Sequence, residues 1–223
     1  EKVKEHLFLG LLNLDQHRHE LKNAVYKTMG DIAITLYVHA GTLKNGITYL
    51  KVRSEYLEAW GLEKDDVLHE ALLNSYRILP PRIYDFKKMM YTPGYAGEDF
   101  LNMDPYFISD KKKKEGICLS VKGLSNGAVA VLYPGVIKKL VEFMDGGFYV
   151  VFSSVHEALI YSSKLCSLEE LENLLRTSNA RMTFQKEFLT DKVYYYCKEE
   201  DKFIMLRGSM KMLVTTIRMD EEN

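Results

Sequence analysis

Between Ser125 and Ser163 the chain carries S-N-G-A-V-A-V-L-Y-P-G-V-I-K-K-L-V-E-F-M-D-G-G-F-Y-V-V-F-S-S-V-H-E-A-L-I-Y-S-S, its longest apolar stretch. Two periods succeed one another inside it. Val136, Ile137, Leu140, Val141 and Met144 recur at helical spacing, with Pro134 placed where a first turn tolerates proline. Gly146-Gly147 then stops the helix, and F-Y-V-V-F reads as a fully apolar strand. The stretch therefore switches from helix to strand, the mark of a mixed α+β chain.

The flanking patterns agree with a mixed fold. Residues 6–14 form an apolar run of strand length, followed by D-Q-H-R-H-E-L-K-N, one or two helical turns with Asp15 as the expected N-cap. Asp31 to Ala40 and Gly46 to Val52 are β-branched runs around the turn residues G-T-L-K-N-G, the pattern of an antiparallel hairpin. Ser54–Trp60 and Asp65–Leu79 read as helices broken by Gly61, the second with Leu68, Ala71, Leu72, Ser75 and Leu79 on one face. Pro80-Pro81 ends it. Ser167-Leu168-Glu169-Glu170 is a capping box, and 193–197 with 203–206 makes a late hairpin across K-E-E-D-K.

The expected architecture is α+β, two small lobes of mostly antiparallel sheet with packed helices. Residues 1–91 form the first lobe, 92–115 a linker or exposed loop rich in Pro, Gly and Lys, 116–207 the second lobe, and 208–223 a tail. Because the chain begins at Glu1 and not at Met, a natural N-terminus further upstream is expected.

Composition narrows the partners. Thirty basic residues against 31 acidic ones give a formal charge of −1, which supplies no general field for a polyanion, so specific nucleic-acid binding is not expected. The lysines at 111–114 are bracketed by Asp110 and Glu115 and read as a solvated loop. No apolar run approaches the roughly 18–20 residues of a membrane span, so no membrane partner is expected. Three cysteines, Cys118, Cys166 and Cys197, are far apart and unpaired in pattern, which fits a reducing cytoplasm.

Chemistry concentrates at Ser153-Ser154-Val155-His156-Glu157. The residue types are those of nucleophilic catalysis, with His156 as general base and Ser153 or Ser154 as nucleophile. In an extended chain, however, Ser154 and His156 face one side and Glu157 the other. In a helical turn, Ser154-x-x-Glu157 is a capping box that commits both side chains to backbone amides. Ligand-binding candidates are Asn126, Tyr133 and His156.

No metal site is expected. His69-Glu70 and His156-Glu157 both lack the second histidine of a zinc helix, and His17 and His19 sit in a polar turn. No cofactor is expected either, since P-loop and dinucleotide fingerprints are absent. The preferred expectation is a non-enzymatic binding or regulatory module for a protein or small-molecule partner. A small hydrolase or transferase is the rival.

Several segments carry a resemblance to a known family. D-I-A-I-T-L-Y-V, E-Y-L-E-A-W-G-L-E-K-D-D-V-L-H-E-A-L-L-N-S-Y-R-I-L-P-P, S-N-G-A-V-A-V-L-Y-P-G-V-I-K-K-L, F-Y-V-V-F-S-S-V-H-E-A-L-I and K-E-F-L-T-D-K-V-Y-Y-Y resemble an uncharacterised bacterial domain family of low-GC Gram-positive gut anaerobes. The likeness spans about residues 5–197, and the Ser-Ser-x-His-Glu element is its most specific part. A looser similarity links it to YtpQ-like proteins. The resemblance implies a cytoplasmic bacterial protein whose relatives carry a further N-terminal segment. It also implies an association with mobile elements, hence the third option of an antagonist of a host or phage defence system. It implies no reaction.

Overall fold

The computed structural model describes residues 3–43, 46–104, 106, 108–181, 185–207 and 210–213. The chain is α+β, built on two antiparallel sheets. In the first, β3 (Ile32–Leu43) is the spine: β1 (Leu7–Asn13) lies along one side. Along the other side β2 (Tyr26–Met29) pairs with its first half and β4 (Gly46–Lys51) with its second. β2 was not expected, and Asp15 does not cap α1 (Arg18–Leu21): His17 holds that position, and the Asp15 carboxylate accepts from Arg18 instead. Residues 44–45, part of the expected G-T-L-K-N-G turn, lie outside the described residues.

Helix α2 (Ser54–Trp60) ends at Gly61 in the left-handed conformation, and α3 (Lys64–Ile78) comes next. All five residues of the expected apolar face of α3 are buried. That face lies on the outer edge of β1, where Ser75 Oγ accepts the Leu9 N–H at 2.8 Å and donates to Ala71 O at 2.6 Å. An edge strand left open would present unpaired backbone groups, and this hydroxyl closes one of them.

The second sheet runs β12-β11-β10-β8-β9-β7-β5-β6. Its central members are β7 (Ile117–Val121), β8 (Phe148–Val151), β9 (Ala158–Ser162) and β10 (Val193–Cys197), with β11 (Lys202–Arg207) beyond. Two departures from the expected lobes are plain here. Pro81–Tyr84, assigned to the first lobe, is strand β5 and pairs with β7; its proline stops α3 and then opens a strand. The stretch 92–115, expected as a linker, contributes β6 (Glu98–Asp99) and α5 (Asp110–Glu115), and it buries Phe100 completely. α4 (Phe86–Tyr91) lies just before it, capped by Asp85. Of the expected tail, Met210–Leu213 forms β12 against β11, while 208–209 and 214–223 lie outside the described residues.

Strand alternation divides the second sheet's side chains between two cores. Leu119, Phe148, Val150, Ile160 and Tyr194 join residues of the first sheet in one large core. Val151, Tyr161 and Val193 face the other way, under Leu171 and Leu175 of α7 (Leu168–Arg181). Between the sheets lies a 3-10 segment, Gly127–Leu132, all of it buried and touching both β1 and β7. α6 (Val136–Met144) continues from it. The sheets are also pinned by Asp31, whose carboxylate accepts from Tyr194 Oη and Thr190 Oγ1, each at 2.7 Å.

Candidate functional site

The β8–β9 connection, residues 152–157, holds the Ser-Ser-x-His-Glu element. Register explains why it is a loop and not a helical turn: Val151 pairs with Leu159, so the chain must reverse between them. The capping-box expectation for Ser154 and Glu157 therefore fails. Ser154 Oγ instead accepts the His156 N–H two residues on, at 3.0 Å, closing a tight local turn. Glu157 Oε1 accepts from Ser153 Oγ at 2.5 Å.

His156 points into a polar joint. Its Nδ1 accepts the Asn126 backbone N–H at 3.2 Å, and its Nε2 lies 3.4 Å from Glu187 Oε1. A backbone donor aimed at Nδ1 leaves the lone pair there and assigns the neutral ring's proton to Nε2, facing the carboxylate. Neither nitrogen meets Ser153 or Ser154, so the expected serine–histidine pairing does not form.

The loop is fastened on both flanks. Ala128 N–H donates to Val155 O at 3.2 Å, and Val155 N–H donates to Glu187 O at 2.9 Å. Ser120 Oγ donates to His156 O at 2.6 Å. Gly127 fits beneath because it lacks a side chain: a Cβ there would stand 2.1 Å from Ser120 Oγ and 2.6 Å from His156 O.

Above this loop opens a cleft of about 760 Å³. Val151 and Leu159 form its floor, the loop and Glu187 one wall, and Asn173, Leu174, Thr177, Ser178 and Arg181 of α7 the other. Its size suits a small organic ligand. The structure thus brings Ser153, Ser154, His156 and Glu157 together, as expected. The other two candidates do not line it. Asn126, in the left-handed conformation, donates from its side chain to Tyr49 Oη at 2.6 Å and so ties the loop to the first sheet. Tyr133 is buried in the main core, and its hydroxyl has no hydrogen-bond partner among the described residues.

Sequence reasoning missed Glu187 and the α7 wall. The sequence marks this helix by its capping box, and Asn173, Thr177 and Arg181 come to line the cleft only through the fold. Cys118, on β7, lies under the same region; burial, helped by the charge of Glu157, pushes its thiol up to about 12. Among the described residues no three His, Cys, Asp or Glu side chains are placed to hold a metal ion.

Fold and site define an α+β protein with a polar-walled surface cleft beside a partly buried histidine joint. The chain belongs to DUF5688, a family of unknown function, whose model matches residues 1–198. No curated protein and no solved structure shows a significant match to it. Among the described residues no helix is long and apolar enough to cross a membrane.

Proposed function

We propose that the protein is a non-enzymatic binding or regulatory module that receives its partner in the cleft between α7 and the β8–β9 loop. The observation that carries this is the engagement of His156 at both ring nitrogens. A general base needs a free lone pair within reach of the proton it takes. Here the lone pair of Nδ1 is spent on a backbone amide, and Nε2 faces an acid. The cleft retains an apolar floor and polar walls, the composition of a binding site.

The same proposal places the protein in the bacterial cytoplasm, supported by three free cysteines of which Cys118 is buried. A role as an antagonist of a defence system draws no support from the cleft.

A second reading is favoured by one contact. Ser153 Oγ donates to Glu157 at 2.5 Å inside the cleft, the arrangement of a nucleophile beside a carboxylate base. In that hydrolase Glu157, and not His156, would take the proton. A fluorophosphonate probe separates the two. The binding module leaves Ser153 unlabelled, and Leu174→Arg, which fills the cleft, abolishes the melting-temperature shifts that small ligands produce. Labelling that disappears in Ser153→Ala would replace the first reading with the second.

A further inference from the structure

The two walls of the cleft are chemically opposite. On the loop wall Glu157 and Glu187 each engage one carboxylate oxygen, Oε1, with Ser153 and His156 respectively. The second oxygen of each has no partner among the described residues, so this wall accepts. On the α7 wall Ser178 and Arg181 have no hydrogen-bond or ion-pair partner among the described residues, and Asn173 uses only its carbonyl oxygen, toward Arg176. This wall donates.

Arg181 forms no ion pair with either glutamate, although all three line one cleft. Opposite charges that line one open cleft without pairing leave their attraction to whatever enters it. Leu174 on the donor wall is 43% exposed, and with Leu159 and Val151 it gives an apolar surface between the charges.

We infer that the cleft takes a short zwitterionic peptide, its ammonium group held by the acceptor wall of Glu157 and Glu187 and its carboxylate by Arg181, with apolar side chains on Val151, Leu159 and Leu174. A peptide carries donors and acceptors along its length and a charge of each sign at its ends, which matches both walls at once. A guanidinium binds a carboxylate through parallel charge-assisted bonds, the strongest kind on offer here. The volume of about 760 Å³ exceeds what one amino acid fills. This inference rests on the binding-module reading.

The test is a backbone-amide NMR titration of the full chain with Ala-Leu-Ala, its N-acetyl form, its C-terminal amide, n-butyrate and n-butylammonium. Ala-Leu-Ala is expected to move amides of 153–157 and 173–181, and each blocked form to bind about tenfold more weakly, the loss of one charged contact. Arg181→Gln should weaken the free peptide by a similar factor and leave the amide form unaffected. Glu187→Gln, which keeps a carbonyl oxygen for His156, should weaken the free peptide but not the acetyl form. Equal binding of the free and blocked peptides overturns the zwitterion assignment while the binding reading stands. So does movement of the cleft amides by butyrate or butylammonium without any by the peptide. If no probe moves them, the peptide inference falls, and the fluorophosphonate and ligand-shift experiment decides the fate of the binding reading separately.

Discussion

His156 Nδ1 accepts the backbone N–H of Asn126 at 3.2 Å, and through that bond the β8–β9 loop is joined to the segment leading into the buried 3-10 turn. Asn126 in turn reaches Tyr49 on the first sheet, so the imidazole sits in a chain of contacts that crosses the molecule.

His156→Ala removes the acceptor and leaves the Asn126 amide without a protein partner. Losing a part-buried hydrogen bond of this kind costs about 0.5–1.5 kcal/mol. Urea unfolding measures it directly. A loss under about 0.5 kcal/mol, the scale of ordinary surface substitutions, would show that the bond does not hold the loop.

Cys118 offers a chemical readout of the same region. Its side chain is buried and its thiol is pushed up to about 12, so almost no thiolate exists near neutrality. Iodoacetamide at neutral pH should modify the partly exposed Cys197 in the folded chain and spare Cys118 until urea unfolds it. Mass-spectrometric labelling of both at equal rates would contradict the burial of the β7–β9 layer beneath the cleft.

Asp85 gives a pH dependence with a definite sign. A hydrogen bond from Lys112 Nζ at 2.7 Å, with the amides of Lys87 and Lys88, lowers its carboxyl from 3.8 to about 2. A folded-state value below the unfolded one means the contribution is complete above about pH 4 and drains away as pH falls toward about 2. Asp85→Asn should flatten the fall in urea midpoint over that range while keeping the N-cap. An unchanged slope would mean that Lys112 and Asp85 do not pair in solution.

Two occurrences of one motif show how much the sequence could reveal. Ser167-x-x-Glu170 forms the expected capping box: Glu170 N–H donates to Ser167 Oγ, and Ser167 N–H to Glu170 Oε2 at 3.0 Å. Ser154-x-x-Glu157 has the same spacing and forms none. The two differ in the next element of the chain, a helix in one case and a paired strand in the other, and strand pairing is non-local. The face of α3 was legible because its period is contained in the helix itself. β5 was hidden because Pro80-Pro81 reads as a stop, and the partner that makes 81–84 a strand, β7, lies far along the chain. β2, Y-K-T-M, lacks an apolar pattern and exists because β3 offers it an edge. The candidate residues of the loop were found by type, but Glu187 and α7 reach them only through the fold.

The central claim is that His156 is a structural acceptor through Nδ1 with its proton on Nε2, and not a base awaiting a substrate. Long-range proton–nitrogen NMR of the imidazole rings at neutral pH tests this most directly, with His156→Gln assigning the signal. The expected result is one tautomer, an unprotonated Nδ1 and a protonated Nε2, unchanged when Ser153 is replaced by alanine. A ring protonated on Nδ1 with a free Nε2, or one whose state shifts in Ser153→Ala, would contradict it.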